Sequence, residues 1–447
     1  LPADGSSAGP LAMADIDGDG DLDLFVGGRL IADRYPEPAS SRLFRNGEGN
    51  FVLDKENTRV LERVGLVSAA VFSDVTGDGW PDLILACEWG PIRVFRNESG
   101  QFREATGELG LAAYLGWWTS VTTGDLDGDG RLEIIGGNWG LNSSYNRAPK
   151  GPWSLYYGDF SGDGHVTIIE AYFDTDSKKV VPWRDMKAVS QDWPAIRQRF
   201  PSHHAYAQAS IADLLGDQRS KAKELRATTL SSMVFYNRGK TFEAAPLPRE
   251  VQWAPVLGIN VGDVDGDGNE DVFLSQNYFA LRPEDNRLDA GRGSWLRGDG
   301  HGKLAPVPGQ ESGVKVYGEQ RGSALADFDE DGRVDLVVTQ NGASTKLFRN
   351  VAAKPGLRVH LVGPAKNPSG IGAVLRLGFG SRTGPARDVH AGSGYWSQDS
   401  AVQVLGTPEE PSSIWIRWPG SKETTSQLPR GAKEVTVDAA GAVTVLR

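Results

Sequence analysis

The sequence predicts an all-β fold: a seven-bladed β-propeller with a helical insertion in its fifth blade, followed by a small C-terminal β domain. Three observations predict it. A nine-residue acidic motif recurs six times in one frame, at spacings close to the length of a four-stranded unit. Each copy lies between stretches of small, β-branched and aromatic residues that suit strands. After residue 350 the motif stops, but short apolar stretches around Gly and Pro continue.

The motif reads D-x-[DST]-x-D-G-x-x-[DET] and runs into four or five apolar residues. Its copies are "ADIDGDGDLDLFVGG" from Ala14, "SDVTGDGWPDLILA" from Ser73, "GDLDGDGRLEIIGGNWG" from Gly124, "GDFSGDGHVTIIEAY" from Gly158, "GDVDGDGNEDVFLSQ" from Gly262 and "ADFDEDGRVDLVVTQN" from Ala326. The first aspartates, Asp15, Asp74, Asp125, Asp159, Asp263 and Asp327, are 59, 51, 34, 104 and 64 residues apart. The gap of 104 is read as two units, one without its acidic loop, which brings the count to seven blades.

Each copy is preceded by a strand of small residues such as "GPLAMAD" or "SAAVFSD" and followed by one such as "DVFLSQ". "RLFRNGEGNF" (42–51), "RVFRNESGQF" (93–102), "VFYNRGKTF" (234–242) and "KLFRN" (346–350) read as a third strand and a hairpin turn. Residues 183–228 depart from this pattern, with helical apolar spacing. They are expected to be the helical insertion, with Asp213 and Asp217 at a helix end and its turn. The last unit lacks a fourth strand, which residues 1–9 or the C-terminal domain are expected to supply. The propeller is expected over 1–351 and the β domain over 355–447.

The acidic loops point to a metal. Carboxylates at positions 1, 3 and 5 of a glycine-kinked loop can turn inward, while the position 7 carbonyl and a position 9 carboxylate complete an oxygen cage. The expected ligands are Asp15, Asp17, Asp19, Asp21 and Asp23; Asp74, Thr76, Asp78, Trp80 and Asp82; Asp125, Asp127, Asp129, Arg131 and Glu133; Asp159, Ser161, Asp163 and His165; Asp263, Asp265, Asp267, Asn269 and Asp271; and Asp327, Asp329, Asp331, Arg333 and Asp335. The position 7 residues contribute only backbone. Hard oxygen ligands favour Ca²⁺ over Mg²⁺, which keeps more of its water. An EF-hand is excluded, because position 12 is Val26 or Leu274 where a bidentate Glu is required. Five or six structural Ca²⁺ are expected; six would offset the net charge of −11. Loops of this kind suit about 10⁻⁴–10⁻³ M calcium, which is an extracellular concentration. The expected location is therefore extracellular, periplasmic or at the cell surface.

The loops and the "FRN-x-x-G-x-F" turns resemble the FG-GAP/VCBS repeats of integrin-α-type propellers over roughly residues 10–350. Residues 355–447 resemble the ASPIC/UnbV domain through Asn367, Gly372, Ala373, Gly394, Tyr395, Ser397, Gln398, Trp418, Pro419 and Gly420. Together the two resemble bacterial relatives of cartilage acidic protein.

Composition narrows the function. The acidic balance argues against nucleic acid and anionic lipid as partners, and no apolar run suggests membrane insertion. "LPADGSSAGP" has no signal-peptide pattern, so an export signal is expected to have been removed or never present. Cys87, the single cysteine, reads as a buried structural thiol. No catalytic motif appears among the six histidines or elsewhere, and "RGD" at 297–299 reads as a hairpin turn. With the acidic loops on one face, Arg29, Trp89, Trp117, Trp118, Asn138, Trp139, Trp253, Asn277, Tyr278, Tyr317 and Asn341 are expected on the opposite face. Aromatics and amides there suit a protein or glycan ligand. The expected function is thus a non-enzymatic binding or adhesion module. A calcium-dependent carbohydrate-active enzyme and a structural subunit of a surface assembly remain as alternatives.

Overall fold

The computed structural model describes residues 6–147, 152–282 and 285–447. It is mostly β, with 43% of residues in strands and 11% in helices. Residues 1–5, to which part of a closing strand was assigned, lie outside the described residues.

Five antiparallel sheets carry an acidic loop at their first hairpin. The first holds Ser6–Ala14, Asp23–Ile31, Arg42–Gly47 and Asn50–Leu53; the second is built on Leu66–Ser73, Asp82–Gly90, Arg93–Glu98 and Gln101–Glu104. The fourth holds Val256–Gly262, Asp271–Gln276, Ser294–Gly298 and Leu304–Val307. The last has three strands, Glu319–Ala326, Asp335–Asn341 and Ala343–Phe348. Register is the same throughout, because the residue before the first Asp pairs with position 9: Ala14 with Asp23, Ser73 with Asp82, Gly124 with Glu133, Gly262 with Asp271 and Ala326 with Asp335. The first strands of successive sheets pack side by side.

The third sheet departs from the expected layout. Ser120–Gly124 and Glu133–Gly137 pair not with the next strand in sequence but with Met233–Asn237 and Phe242–Pro246. Residues 138–232 are therefore an insertion inside the third unit. They hold a further sheet, in the order Lys179–Pro182, Thr167–Asp174, Trp153–Gly158, Lys223–Ala227. Four short helices follow Lys179–Pro182, spanning Met186–Asp192, Ala195–Arg199, His203–Ala207 and Ile211–Leu215. Trp193, Ile196, Tyr206 and Leu214 bury against Phe160, Ile169 and Ala171 of that sheet. Asp213 forms a capping box with Ser210, and Asp217 lies in the 3₁₀ turn beyond. The 104-residue gap thus reflects one interrupted unit, not two complete ones. Among the described residues there are five sheets of the repeat plus the inserted one. The helices belong to this insertion in the third unit.

Residues beyond 356 form two sheets, Gln403–Leu405/Leu357–Val362/Glu434–Asp438/Val443–Val445 and one built on Val374–Phe379, Ser413–Trp418 and Lys422–Gln427. Val359, Leu375, Ile416, Trp418 and Val435 share the core between them. The stretch 390–400 belongs to neither. It is a hairpin that runs down among the first strands of the repeat. Met13 N donates to Ala391 O at 3.0 Å, and Ala70 N to Gly394 O at 3.0 Å. On the return, Ser400 N donates to Leu325 O at 2.9 Å, while the Asp399 carboxylate accepts from Leu325 N and Asn260 Nδ2 at 2.8 Å each. At Gly394, with φ +81°, a Cβ would fall 1.8 Å from Val121 O, so only glycine fits. Its neighbours fasten the hairpin internally: Ser397 Oγ donates to Tyr395 O, and Gln398 Nε2 to His390 O. This stretch, within the region expected to form the small β domain, is thus a hub for the repeat and adds no strand to the domain's two sheets.

Candidate metal loops and the aromatic mouth

Two carboxylates shape every acidic loop of the five sheets. The first Asp accepts from the N–H of the position 6 glycine, at 3.0 Å for Asp15 and 2.8–2.9 Å for Asp74, Asp125, Asp263 and Asp327. The position 9 carboxylate takes one bond from the N–H of position 2, or of position 3 in the second sheet's loop, and another from the N–H where the third strand turns. Asp82 accepts from Thr76 N and Asn97 N, Glu133 from Leu126 N and Asn237 N, Asp271 from Val264 N and Gly298 N, and Asp335 from Phe328 N and Asn350 N. Asp23 does the same with Ile16 N and Asn46 N. Position 5 forms a small turn, accepting from the position 7 N–H: Asp19 from Asp21, Asp78 from Trp80, Asp129 from Arg131, Asp163 from His165, Asp267 from Asn269 and Asp331 from Arg333.

The structure brings carboxylate oxygens within 4.8 Å of one another in four loops, as Asp15–Asp17–Asp19, Asp125–Asp127–Glu133, Asp263–Asp265–Asp271 and Asp327–Asp329–Asp335. The donors are all hard oxygens, as Ca²⁺ requires. Among the described residues Asp125 Oδ1, Asp127 Oδ1, Asp329 Oδ1 and Thr76 Oγ1 are buried with no hydrogen-bond partner. Burial pushes Asp82, Glu133 and Asp271 up to about 8 and Asp23 and Asp263 up to about 7. Such shifts show how costly these charges are without a cation. The residues therefore fit the ion. In the inserted loop Asp163 and Ser161 are exposed and Asp159 is half-buried, and among the described residues no third acidic group is gathered to them. It is the poorest of the six cages.

Sequence reasoning missed two sets of residues around the loops. The first is the Asn of the "FRN" turns, which reaches across to the neighbouring sheet's loop. Asn97 Nδ2 donates to Ile16 O, Asn237 Nδ2 to Val75 O and Asn350 Nδ2 to Val264 O. Its recurrence was the available signal. An adjacent position supplies a cation to its own loop: the preceding one as Arg45 to Asp17, Arg297 to Asp265 and Arg349 to Asp329, and the following one as Arg238 to Asp127. The second set belongs to the C-terminal domain, which covers the loop face and sends a donor to each loop. Lys366 meets Asp21 at 2.8 Å, Arg417 meets Asp74 at 2.6 Å, and Ala386 N donates to Asp125 at 2.7 Å. Arg387 grips Glu270 at 2.6 Å, and Arg358 pairs with Asp327. No sequence pattern announced these, because the partners are far apart in the chain.

At the other end of the sheets, part of the expected face assembles. Trp89 and Trp117 have ring centres 5.1 Å apart, Trp117 stacks on Trp139 at 4.4 Å, and Trp139 meets Tyr278 at 5.1 Å. Arg29 pairs with Glu88 at 2.6 Å, and Tyr35 joins Glu88 to the Trp89 indole. A cleft of about 720 Å³ opens beside these rings, with Tyr145, Glu170 and Arg184 in its wall. The other expected residues serve elsewhere. Trp118 is fully buried in the core. Asn138 and Asn277 are buried and spend their amides on backbone groups. Asn341 donates to Glu319, Trp253 is exposed with its carbonyl accepting from Asn142 Nδ2, and Tyr317 lies under Arg292.

Three solved structures illustrate the likeness to known proteins. A Bacillus licheniformis rhamnogalacturonan lyase is 14% identical, with 95% of this chain and 73% of that chain covered and a TM-score of 0.32. The V. cholerae biofilm matrix protein Bap1 is 12% identical, with 94% and 58% covered and a TM-score of 0.28. Saccharomyces cerevisiae Sqt1 is 9% identical, with 96% and 98% covered and a TM-score of 0.27. No curated protein matches the chain. Family models match in two places, and they fall on the loop-bearing sheets and on the domain that caps them: residues 74–136 are an FG-GAP-like repeat, and residues 363–444 are an ASPIC and UnbV domain.

Proposed function

We propose that this chain is an exported, calcium-stabilised, propeller-like binding module without catalytic activity. Its loop face is committed to metal and to the C-terminal domain, and its opposite mouth receives a protein or glycan ligand. The observation that carries this reading is that Asp125 Oδ1 and Asp127 Oδ1 in one gathered carboxylate cluster, and Asp329 Oδ1 in another, are buried and, among the described residues, have no hydrogen-bond partner. Calcium, when bound, supplies the positive charge these oxygens lack. The acidic cleft residues favour binding over turnover, since Glu88 and Glu170 are held in ion pairs with Arg29 and Arg184.

Elemental analysis and melting curves test the metal. Several calcium ions per chain and a sharp drop in melting temperature with EDTA are expected. A calcium-free protein whose melting is indifferent to EDTA would overturn it. A pull-down from the native source, run with and without calcium, tests the binding role; a calcium-dependent partner is expected.

A further inference from the structure

The hub hairpin carries an aromatic pair to the mouth. Its N-terminal arm meets Met13 near the loop end of the first sheet, then Ala70 and Val121 further down. Trp396 O lies against Gly322, midway along the last sheet's inner strand. Trp396 is 71% exposed, although it is the largest side chain type and sits at φ +33°. A bulky residue held at positive φ is strained and is retained where the surroundings dictate it. One face of its indole is taken: Tyr395 stacks beneath it at 5.2 Å and 13°, and is itself buried.

Around this platform the mouth is polar and charge-balanced. Tyr395 is hydrogen-bonded to Arg321, whose guanidinium lies 5.2 Å over the Tyr278 ring and pairs with Glu319 at 2.8 Å. Tyr278 in turn opens on the cleft. Arg29 spends one nitrogen on Glu88, while its Nη1 is buried and, among the described residues, has no hydrogen-bond partner.

We infer that the mouth is a binding site for an uncharged oligosaccharide, with one pyranose ring lying on Trp396 and neighbouring rings in the cleft beyond Tyr278. This deepens the binding-module reading and rests on it. A flat indole with one supported face matches the apolar C–H face of a pyranose. Guanidinium and carboxylate edges offer the in-plane donors and acceptors that its hydroxyls need. The cleft volume of about 720 Å³ lies in the range for small-ligand sites. Charges of both signs alternate around the mouth: Glu88 pairs with Arg29, Glu319 with Arg321, Arg184 holds both Glu170 and Asp285, and Arg282 and Arg287 complete the wall, so among the described residues no block of one sign is present to select an anionic sugar.

Affinity electrophoresis of the full chain with calcium tests this, in gels containing xylan, galactomannan, mixed-linkage β-glucan or hydroxyethyl cellulose, with polygalacturonate as the anionic comparison. At least one neutral polysaccharide is expected to retard the protein. Trp396→Gly removes the ring and suits the backbone's φ, so it should fold, as its melting curve will verify, yet bind weaker by about tenfold. Phe51→Ala, an exposed aromatic in the fourth strand of the first sheet and outside the mouth, should bind as the parent does. Retardation by no neutral polysaccharide, retardation by polygalacturonate alone, or equal binding by Trp396→Gly would each overturn the inference. A calcium-dependent protein partner recovered by pull-down, with no retardation by polysaccharide, would overturn it while leaving the binding-module reading intact.

Discussion

Removing Arg387 should unfasten the C-terminal domain from the loop face. Its guanidinium holds the Glu270 carboxylate by bonds of 2.6, 2.7 and 3.0 Å, and the two side chains are only 11% and 2% exposed. Burial alone raises the carboxyl of Glu270, and Arg387 works against that rise. In Arg387→Met the apolar stem remains, but Glu270 is left buried with no counter-ion. Breaking a buried pair in this way costs about 3–5 kcal/mol. If all 447 residues unfold together, an unfolding entropy of about 2.1 cal/mol/K per residue converts this to a drop of about 3–5 °C. If the C-terminal domain of about 90 residues melts alone, the same energy is worth about 15–25 °C in its own transition. Scanning calorimetry in calcium separates the two cases. The double variant Arg387→Met/Glu270→Gln should recover most of the loss, because the stranded charge is gone. A single variant that melts with the parent, or a double variant no better than the single, would refute the reasoning.

Further predictions follow from the hub and the core. Gly394→Ala would place a Cβ 1.8 Å from Val121 O at φ +81°, so it should melt early and expose residues 390–400 to proteases; Gly380→Ala, at φ +66° with nothing within 4 Å, should lose only the backbone component of about 1 kcal/mol. Burial pushes the Cys87 thiol up to about 11, so a thiol reagent should leave the folded protein unlabelled and label one site in denaturant; rapid labelling of the native chain would contradict its burial. Burial pushes the Asp388 carboxyl up to about 7 from 3.8. The folded chain then keeps a proton that the unfolded chain releases, so this group's stabilising contribution is lost as pH rises between about 4 and about 7. Asp388→Asn should therefore melt with a shallower dependence on pH across that window, and parallel curves would contradict the assignment.

The acidic loops were legible because their logic is local. A first Asp, a kinking Gly at position 6 and a position 9 carboxylate close on each other within one hairpin, so spacing alone encodes them. The "FRN" hairpins and the capping role of Asp213 were legible for the same reason. The third sheet was not, because Ile134 pairs with Phe235 across an inserted sheet and four helices, and no periodicity records a strand partner that far away. The mouth was legible only in part. Trp89, Trp117, Trp139 and Tyr278 follow or precede inner strands and do meet, but position in a unit cannot tell a ring that faces the cleft from one such as Trp118 that turns into the core. Trp396 was invisible to that reasoning, since it reaches the mouth from a different part of the chain.

The hub also has a consequence for biogenesis. Met13 and Ala70 leave a ribosome long before Ala391 and Gly394, the partners of their amides. The five sheets must therefore wait, loosely gathered, until the last segment is threaded among them. A product truncated before residue 390 would keep every acidic loop but lose its axle. Such fragments should be conspicuous to proteases, so that synthesis through this hairpin serves as its own checkpoint.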